Sequence, residues 1–123
     1  MVQIDILLLP TGAVRTQVNP DPTSAHTNDW VNWVFRSLDP TVESVQIEFD
    51  HQGESYFFPR GGGPPFKSLK TDLTSGSATI WGRAPALGHP GAQSSKYSIR
   101  AYDNSNHEIG AYYLDPTVVT EQP

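Results

Sequence analysis

Residues 29–35, Asp29-Trp-Val-Asn-Trp-Val-Phe35, and residues 44–49, Ser44-Val-Gln-Ile-Glu-Phe49, carry the pattern that decides the fold class of this chain. In both stretches bulky apolar side chains recur at every second position, which is the period of a half-buried β-strand. Their aromatic and β-branched residues also favour extended backbone. We therefore predict a strand in each stretch and apply the same period to the rest of the chain.

The same alternation recurs along the chain between segments rich in Gly and Pro. The first strand starts at residue 2 and ends before Pro10, and a long loop over residues 10–29 follows, with a short strand at residues 13–18. Further strands are predicted at residues 54–58, 77–83, 96–103, 108–114 and 117–121. No ten consecutive residues have the 3.6-residue period of a helix. The prediction is an all-β fold, a two-sheet antiparallel Greek-key sandwich of seven to nine strands.

Length and composition place the chain among ordinary globular domains. Its 123 residues, with ten Gly and eleven Pro, predict one turn-rich domain over residues 1–123. A formal net charge of −5 argues against nucleic acid and against anionic membrane surfaces as partners. The absence of Cys excludes disulfides, thiolate catalysis and zinc sites of the Cys type.

The first ten residues do not resemble a secretory signal. They contain no Lys or Arg, and Asp5 interrupts their apolar residues. No apolar stretch approaches the roughly 18 residues of a membrane-spanning helix. We therefore expect a cytoplasmic protein, with the extracellular space as the alternative if an export signal has been removed.

Four segments resemble the small Greek-key sandwiches of the cupredoxin-like and immunoglobulin-like groups. They are Asp29-Trp-Val-Asn-Trp-Val-Phe35, Val45-Gln-Ile-Glu-Phe49, Lys96-Tyr-Ser-Ile99 and Leu114-Asp-Pro-Thr-Val-Val119. In cupredoxins the late strand leads into Cys, His and Met copper ligands, whereas this chain has no Cys and Met1 as its one Met. The resemblance therefore implies a scaffold without the blue-copper site, and a scaffold does not determine function.

The residues that most often carry catalysis form no recognisable motif in this sequence. His26, His51, His89 and His107 are at least 18 residues apart and match no metal-binding spacing, although Asp29 or Asp50 could complete a pair. The run from Arg60 to Lys67 contains three Gly, but the two Pro that follow lack the N–H groups that a phosphate cradle uses. We therefore predict a non-catalytic protein without a cofactor or a metal site.

Charge is distributed unevenly along the chain. Residues 1–59 carry eight acidic and two basic residues, residues 60–100 carry six basic and one acidic, and residues 101–123 carry four acidic and none basic. The segment charges are therefore −6, +5 and −4. Either strands from these segments neutralise one another within the sheets, or the basic segment meets an acidic surface, such as that of a second copy.

The basic segment supplies the candidate binding residues. Large rings flank its Gly-rich loop, and such amphipathic surfaces are typical of protein interfaces. If Ile80 and Ile99 face the core, Trp81 and Tyr102 point outward. We predict a protein-interaction or assembly module that contacts a protein partner or a second copy through six residues: Arg60, Phe66, Lys67, Lys70, Trp81 and Tyr102.

Carbohydrate binding is the alternative, because exposed rings on a sheet can stack on sugars. Trp30 and Trp33 are three residues apart on one strand and must face opposite sides, so one of them can lie in the core while the other points outward. A sugar platform would then use Trp30, Trp81 and Tyr102.

Overall fold

A computed structural model describes residues 1–50 and 57–123, and within them the backbone forms ten β-strands. The strands are β1 (Val2–Leu8), β2 (Thr16–Asn19), β3 (Thr23–His26), β4 (Trp30–Ser37), β5 (Ser44–Phe49), β6 (Phe58–Pro59), β7 (Ser68–Asp72), β8 (Ser77–Arg83), β9 (Gly91–Tyr102) and β10 (Thr117–Gln122). In this part of the chain the one helical element is a 3₁₀ turn at Gly110–Tyr112. No helix there has the length and apolarity needed to cross a bilayer.

The strands form two five-stranded sheets. Sheet I has the order β2-β1-β4-β8-β6, and sheet II has the order β3-β10-β9-β5-β7. From β2 to β9 every successive strand lies in the opposite sheet, so only β1–β2 and β9–β10 are adjacent both in the chain and in a sheet. The prediction of an all-β, two-sheet sandwich is confirmed, but the described residues form ten strands instead of the predicted seven to nine, because β3 and β7 were not predicted.

The direction of two strand pairs differs from the prediction. β1 runs parallel to β4, and β10 runs parallel to β3, whereas the remaining pairs are antiparallel. Both sheets are therefore mixed rather than purely antiparallel. A period of two is the same for either strand direction, so alternation alone does not distinguish them.

The agreement between predicted and observed strands varies along the chain. The strands at residues 44–49 and 77–83 have the predicted bounds, whereas β3 and β7 were not predicted. Residues 108–114 form the 3₁₀ turn and two isolated bridges instead of a strand. The predicted strand at residues 54–58 lies mostly outside the described residues, and Phe58 begins β6.

Aromatic side chains fill the space between the sheets. Trp33 has no solvent exposure and contacts the rings of Phe49, Phe57 and Tyr97 edge-on, with ring centroids 5.6–6.0 Å apart. Phe49 and Phe57 stack with their centroids 4.9 Å apart. Aromatic pairs in these geometries add about 0.5–1.5 kcal/mol each to the gain from burial. The core therefore joins β4 and Phe57, the residue before β6, to β5 and β9 of sheet II.

Candidate functional site

Two cations of the basic segment are neutralised by acids of the C-terminal segment. Lys96 Nζ lies 2.8 Å from Asp115 Oδ2, and Arg100 Nη1 lies 2.9 Å from Glu108 Oε1. These partners raise the pKa of Lys96 and of Arg100, since each acid stabilises the charged form of its neighbour. Neutralisation between segments therefore accounts for part of the charge pattern.

The other four cations of that segment form no ion pair with any carboxylate of residues 1–50 or 57–123. They are Arg60, Lys67, Lys70 and Arg83. Three of them lie over aromatic rings. The guanidinium of Arg60 is 4.7 Å from the ring centre of Trp81, and that of Arg83 is 5.2 Å from the ring centre of Phe58. Cation–π contacts of this kind hold a charge near a surface while leaving its N–H groups able to bind an anion.

Lys70 makes the third contact, on the other sheet. Its Nζ lies 3.7 Å from the ring centre of Tyr102 and donates to Asn106 Oδ1. The Tyr102 hydroxyl in turn donates to Gln46 Oε1 at 2.5 Å, and burial raises the pKa of that hydroxyl. A hydrogen-bonded ring on sheet II therefore positions the Lys70 ammonium.

A groove joins the two sheets between these contacts, with a volume of about 270 Å³. The groove is lined by Arg60, by three residues of β7 (Leu69, Lys70, Thr71) and by three residues of β8 (Thr79, Ile80, Trp81). We call this feature the basic groove. Its described lining contains two cations and no carboxylate, although its residues come from three separate parts of the sequence.

Phe66, predicted as a binding residue beside the Gly-rich loop, instead belongs to the core. It is 8% exposed, and its ring lies 6.0 Å from that of Phe49. Its backbone N–H donates to Phe57 O at 2.9 Å, which folds the end of the Gly-rich loop back onto the sandwich. Gly82 has no side chain to occupy the space that the Phe66 ring fills, so the ring turns inward. Lys67 is exposed and does not line the basic groove.

The candidate aromatic residues do not form a single platform. Trp33 is buried and Trp30 is partly exposed, as predicted from their spacing. Trp30 and Trp81 share the outer face of sheet I, since Trp30 pairs with Arg83 and Trp81 pairs with Asn32. Tyr102 belongs to sheet II, where it pairs with Ser44. The structure therefore groups Arg60, Lys70 and Trp81 around the groove and connects Tyr102 to them through Lys70.

Four residues that line the groove were not among the predicted binding residues: Leu69, Thr71, Thr79 and Ile80. The unpredicted strand β7 carries the first two of them. The pair of Arg83 and Phe58 lies on the same face of sheet I as Arg60 and Trp81. The alternation of Ser77 to Arg83 gives the outward direction of Thr79, Trp81 and Arg83, so these three residues could have been grouped from the sequence.

A pair of carboxylates lies elsewhere on sheet II. Burial raises the pKa of Asp50, and the neighbouring carboxyl of Asp115 raises it further. Ser98 Oγ donates to Asp50 Oδ1 at 3.1 Å, and Lys96 binds Asp115. The hydrogen bond from Ser98 and the ion pair with Lys96 give these two carboxylates a structural role. Across residues 1–50 and 57–123, no three His, Asp or Glu side chains meet as metal ligands would, and His51 lies outside that range.

A larger depression of about 510 Å³ lies between the turn at residues 37–43 and the hairpin at residues 73–76. Its main polar group, Asp39, is already bonded: Oδ2 accepts from the Tyr112 hydroxyl at 2.6 Å, and Oδ1 accepts from the Thr41 N–H at 2.9 Å. These bonds lower the pKa of Asp39, with the Tyr112 bond as the largest cause. The described lining of the depression has two carboxylates, Asp39 and Glu43, and no cation, so its charge is opposite to that of the basic groove.

Comparison with known proteins supplies no family. No protein-family model matches the sequence, and no curated protein matches it significantly. Similar solved structures include a multicopper oxidase (11% identity, TM-score 0.44, covering 99% of this chain and 44% of that one) and the blue copper oxidase from Nitrosomonas europaea (13%, 0.40, 98% and 44%). The N-terminal domain of phage TP901-1 ORF48 is a third (11%, 0.35, 99% and 98%).

This chain spans less than half the length of either oxidase chain. At these identities and TM-scores the likenesses say nothing about function, and the fold rests on the strand pairings. The two-sheet all-β sandwich is consistent with the resemblance to copper-less cupredoxin-like sandwiches.

Proposed function

We propose that this chain is a non-catalytic interaction module that binds an acidic surface of a partner protein through the basic groove. One observation carries the proposal: Arg60, Lys70 and Trp81 line one groove whose described lining contains no carboxylate. The C-terminal acids Glu108 and Asp115 pair with Arg100 and Lys96, which lie outside this groove. The cations of the groove therefore have no acidic partner among the described residues. An acidic partner would supply the missing charge.

The pairing of cations with rings supports a protein partner. Trp, Tyr and Arg are the residues most enriched where interfaces gain their binding energy. The Trp81 ring restrains the Arg60 guanidinium, which lowers the entropy lost when its planar N–H fork binds a carboxylate.

Carbohydrate binding is the second candidate, because Trp30 and Trp81 share the outer face of sheet I. Two observations favour the acidic partner over a sugar. Arg60 lies over the ring of Trp81 and Lys70 over the ring of Tyr102, so each ring already has a cation against one face. The third ring of the sugar platform, Tyr102, is on the opposite sheet from the other two.

A paired array distinguishes the two candidates. The full chain is applied to nine-residue peptides graded from strongly acidic to strongly basic, and to a glycan panel, at about 50 mM and about 500 mM salt. We expect retention on the acidic peptides that falls with salt and weakens about threefold to tenfold in Arg60→Gln and Trp81→Ala. Arg36→Gln is the matched control, because Arg36 is an exposed cation on sheet I that does not line the groove.

Two results would contradict the proposal. Retention that does not depend on peptide charge would remove the role of the cations. Glycan binding that is insensitive to salt but lost in Trp81→Ala would instead establish the carbohydrate alternative.

A further inference from the structure

The basic groove lies between two strand edges that have no partner in the described chain. β7 is the last strand of sheet II, and its neighbour β5 covers only one of its edges. On sheet I, β6 pairs with β8 only at Gly82 and Arg83, so the preceding residues of β8 also have an open edge. Leu69 to Thr71 on β7 and Thr79 to Trp81 on β8 line the groove from its two sides. Along this groove, no strand among the described residues pairs with either edge.

The strand register shows which backbone groups of β7 point toward the opening. Phe49 N donates to Lys67 O, and Leu73 N donates to Glu43 O, both at 2.8 Å, at the two ends of the β5–β7 ladder. Hydrogen-bonded pairs alternate with non-bonded pairs in an antiparallel ladder, so Leu69 and Thr71 bond to β5. The N–H and C=O groups of Ser68, Lys70 and Asp72 therefore point away from β5, where no described strand pairs with them.

Strand β8 also has backbone groups that point away from its paired neighbour. Ser37 N donates to Gly76 O, and Ala84 N donates to Asp29 O, each at 2.8 Å, at the ends of the β4–β8 ladder. Thr79 consequently directs its N–H and C=O away from β4, at a position beyond the end of β6. Open edges of this kind are templates for an added strand.

The side chains of β7 define the partner that fits this edge. Lys70 pairs with Gln46 on the outer face of sheet II, whereas Leu69 pairs with Ile47 on the core side. An added strand would thus place alternate side chains beside Lys70 and beside Leu69. A carboxylate complements the ammonium of Lys70, which lies over the Tyr102 ring of β9, and apolar groups complement Leu69. The position beside Asp72, on the same face as Lys70, disfavours a further carboxylate. A Lys on an edge strand also discourages pairing between identical edges, which favours a partner of opposite charge.

We propose that an extended acidic segment of the partner protein adds to β7 as a sixth strand of sheet II. Its carboxylates lie on the side of Lys70, and its apolar side chains point toward Leu69 and Ile80 in the groove. This inference rests on the proposed function and adds to it the mode of binding and the pattern of the bound segment.

The test uses a fluorescein-labelled nine-residue peptide that alternates Glu with Val, and fluorescence anisotropy with the full chain. Lys70→Ala and Lys70→Pro both remove the ammonium group, but only the Pro variant removes the N–H that points away from β5. We expect Lys70→Ala to weaken binding about threefold and Lys70→Pro to weaken it about fivefold further, the loss of one hydrogen bond. Equal affinities of the two variants would overturn strand addition.

A change in the peptide provides a second test if Lys70→Pro disturbs the fold. N-methylation of alternate residues blocks one edge of an extended peptide and leaves its other edge free. We expect methylation at one set of positions, either all Glu or all Val, to abolish binding, while methylation at the other set is tolerated. If both methylated peptides bind, strand addition is overturned. If neither binds, strand addition to β7 is also overturned, because the peptide would then bond to more than one strand.

The outcomes separate this inference from the proposed function. Salt-sensitive binding that is weakened in Arg60→Gln but indifferent to N-methylation would overturn strand addition and leave the interaction module standing. No salt-sensitive binding by any acidic peptide would overturn both. A dimer of the chain that the peptide dissociates would identify a second copy as the occupant and overturn the partner segment.

Discussion

The substitution Gly82→Ala tests the packing that places Phe66 in the core. A Cβ at this position would lie 3.0 Å from Cζ3 of Trp33, 3.2 Å from Cβ of Phe57 and 3.2 Å from Cζ of Phe66. Carbon atoms in contact normally lie about 3.5–4.0 Å apart, so three groups must move to admit one methyl group. Because β4, the residue before β6 and the end of the Gly-rich loop supply these groups, no single side chain can relieve the overlap.

The cost follows from the behaviour of overpacked cores. Adding a methylene-sized group to a well-packed interior costs about 1–3 kcal/mol. Unfolding entropies near 2.1 cal/mol/K per residue imply that each kcal/mol lowers the Tm of a chain of this length by about 4 °C. We therefore expect Gly82→Ala to unfold at a temperature about 4–12 °C below that of the parent chain.

Thermal unfolding followed by circular dichroism measures this difference. Gly61→Ala is the matched control, because no atom lies within 4 Å of the Cβ that it would add. Its Tm should stay within about 2 °C of the parent value. A Gly82→Ala variant that is as stable as Gly61→Ala would refute the close approach of Trp33, Phe57 and Phe66, and with it the explanation for the burial of Phe66.

Three further predictions concern stability. Burial, with a contribution from Asp39, raises the pKa of Tyr112 to about 12. The neutral hydroxyl therefore stabilises the fold fully below pH 10, and this contribution is lost as the pH rises toward 12. Tyr112→Phe should lower the free energy of unfolding by about 1–2 kcal/mol at pH 7 and flatten the alkaline decline in Tm, and an unchanged decline would contradict this assignment. The pKa of Asp50 is raised, so ionisation of this carboxyl opposes folding above its folded-state pKa. Asp50→Asn should therefore raise Tm at pH 7 but not at pH 3. A lower Tm at pH 7 would show that the negative charge beside Asp115 is favourable. Gly76 has a φ of +77°, so Gly76→Ala should cost about 1–2 kcal/mol in urea unfolding, and a neutral result would refute the left-handed backbone at this turn.

The fold class could be predicted because the chain has strong local signals. Alternation at Ser44–Phe49 and Ser77–Arg83 gave both strands with their observed bounds. The pairing of strands depends instead on contacts between distant segments. β3 occupies part of a Pro-rich segment that was predicted as loop, and it forms a parallel pair with β10, about 95 residues later. No local pattern contains that information.

The candidate site could be predicted only where local signals in the sequence define it. Charge counting identified residues 60–100, and alternation gave the outward direction of Trp81. Phe66 was misplaced because its burial depends on Gly82, which is 16 residues away and whose missing side chain leaves room for the ring. The strand β7 was missed because Ser68–Asp72 is short and mostly polar, as edge strands often are. Its open edge could be recognised only once the order of sheet II was known.

We expect the basic groove between β7 and β8 to be the surface where this chain meets an acidic partner. Titration of the ¹⁵N-labelled full chain with the Glu-Val peptide, followed by ¹H–¹⁵N correlation spectra, tests it most directly. The largest shifts should fall on the backbone amides of Lys70 and Thr79 and on the indole N–H of Trp81, and a peptide with Lys in place of Glu should produce none. Shifts centred on another surface, such as the depression around Asp39, or shifts that do not depend on the charge of the peptide, would contradict binding at the basic groove.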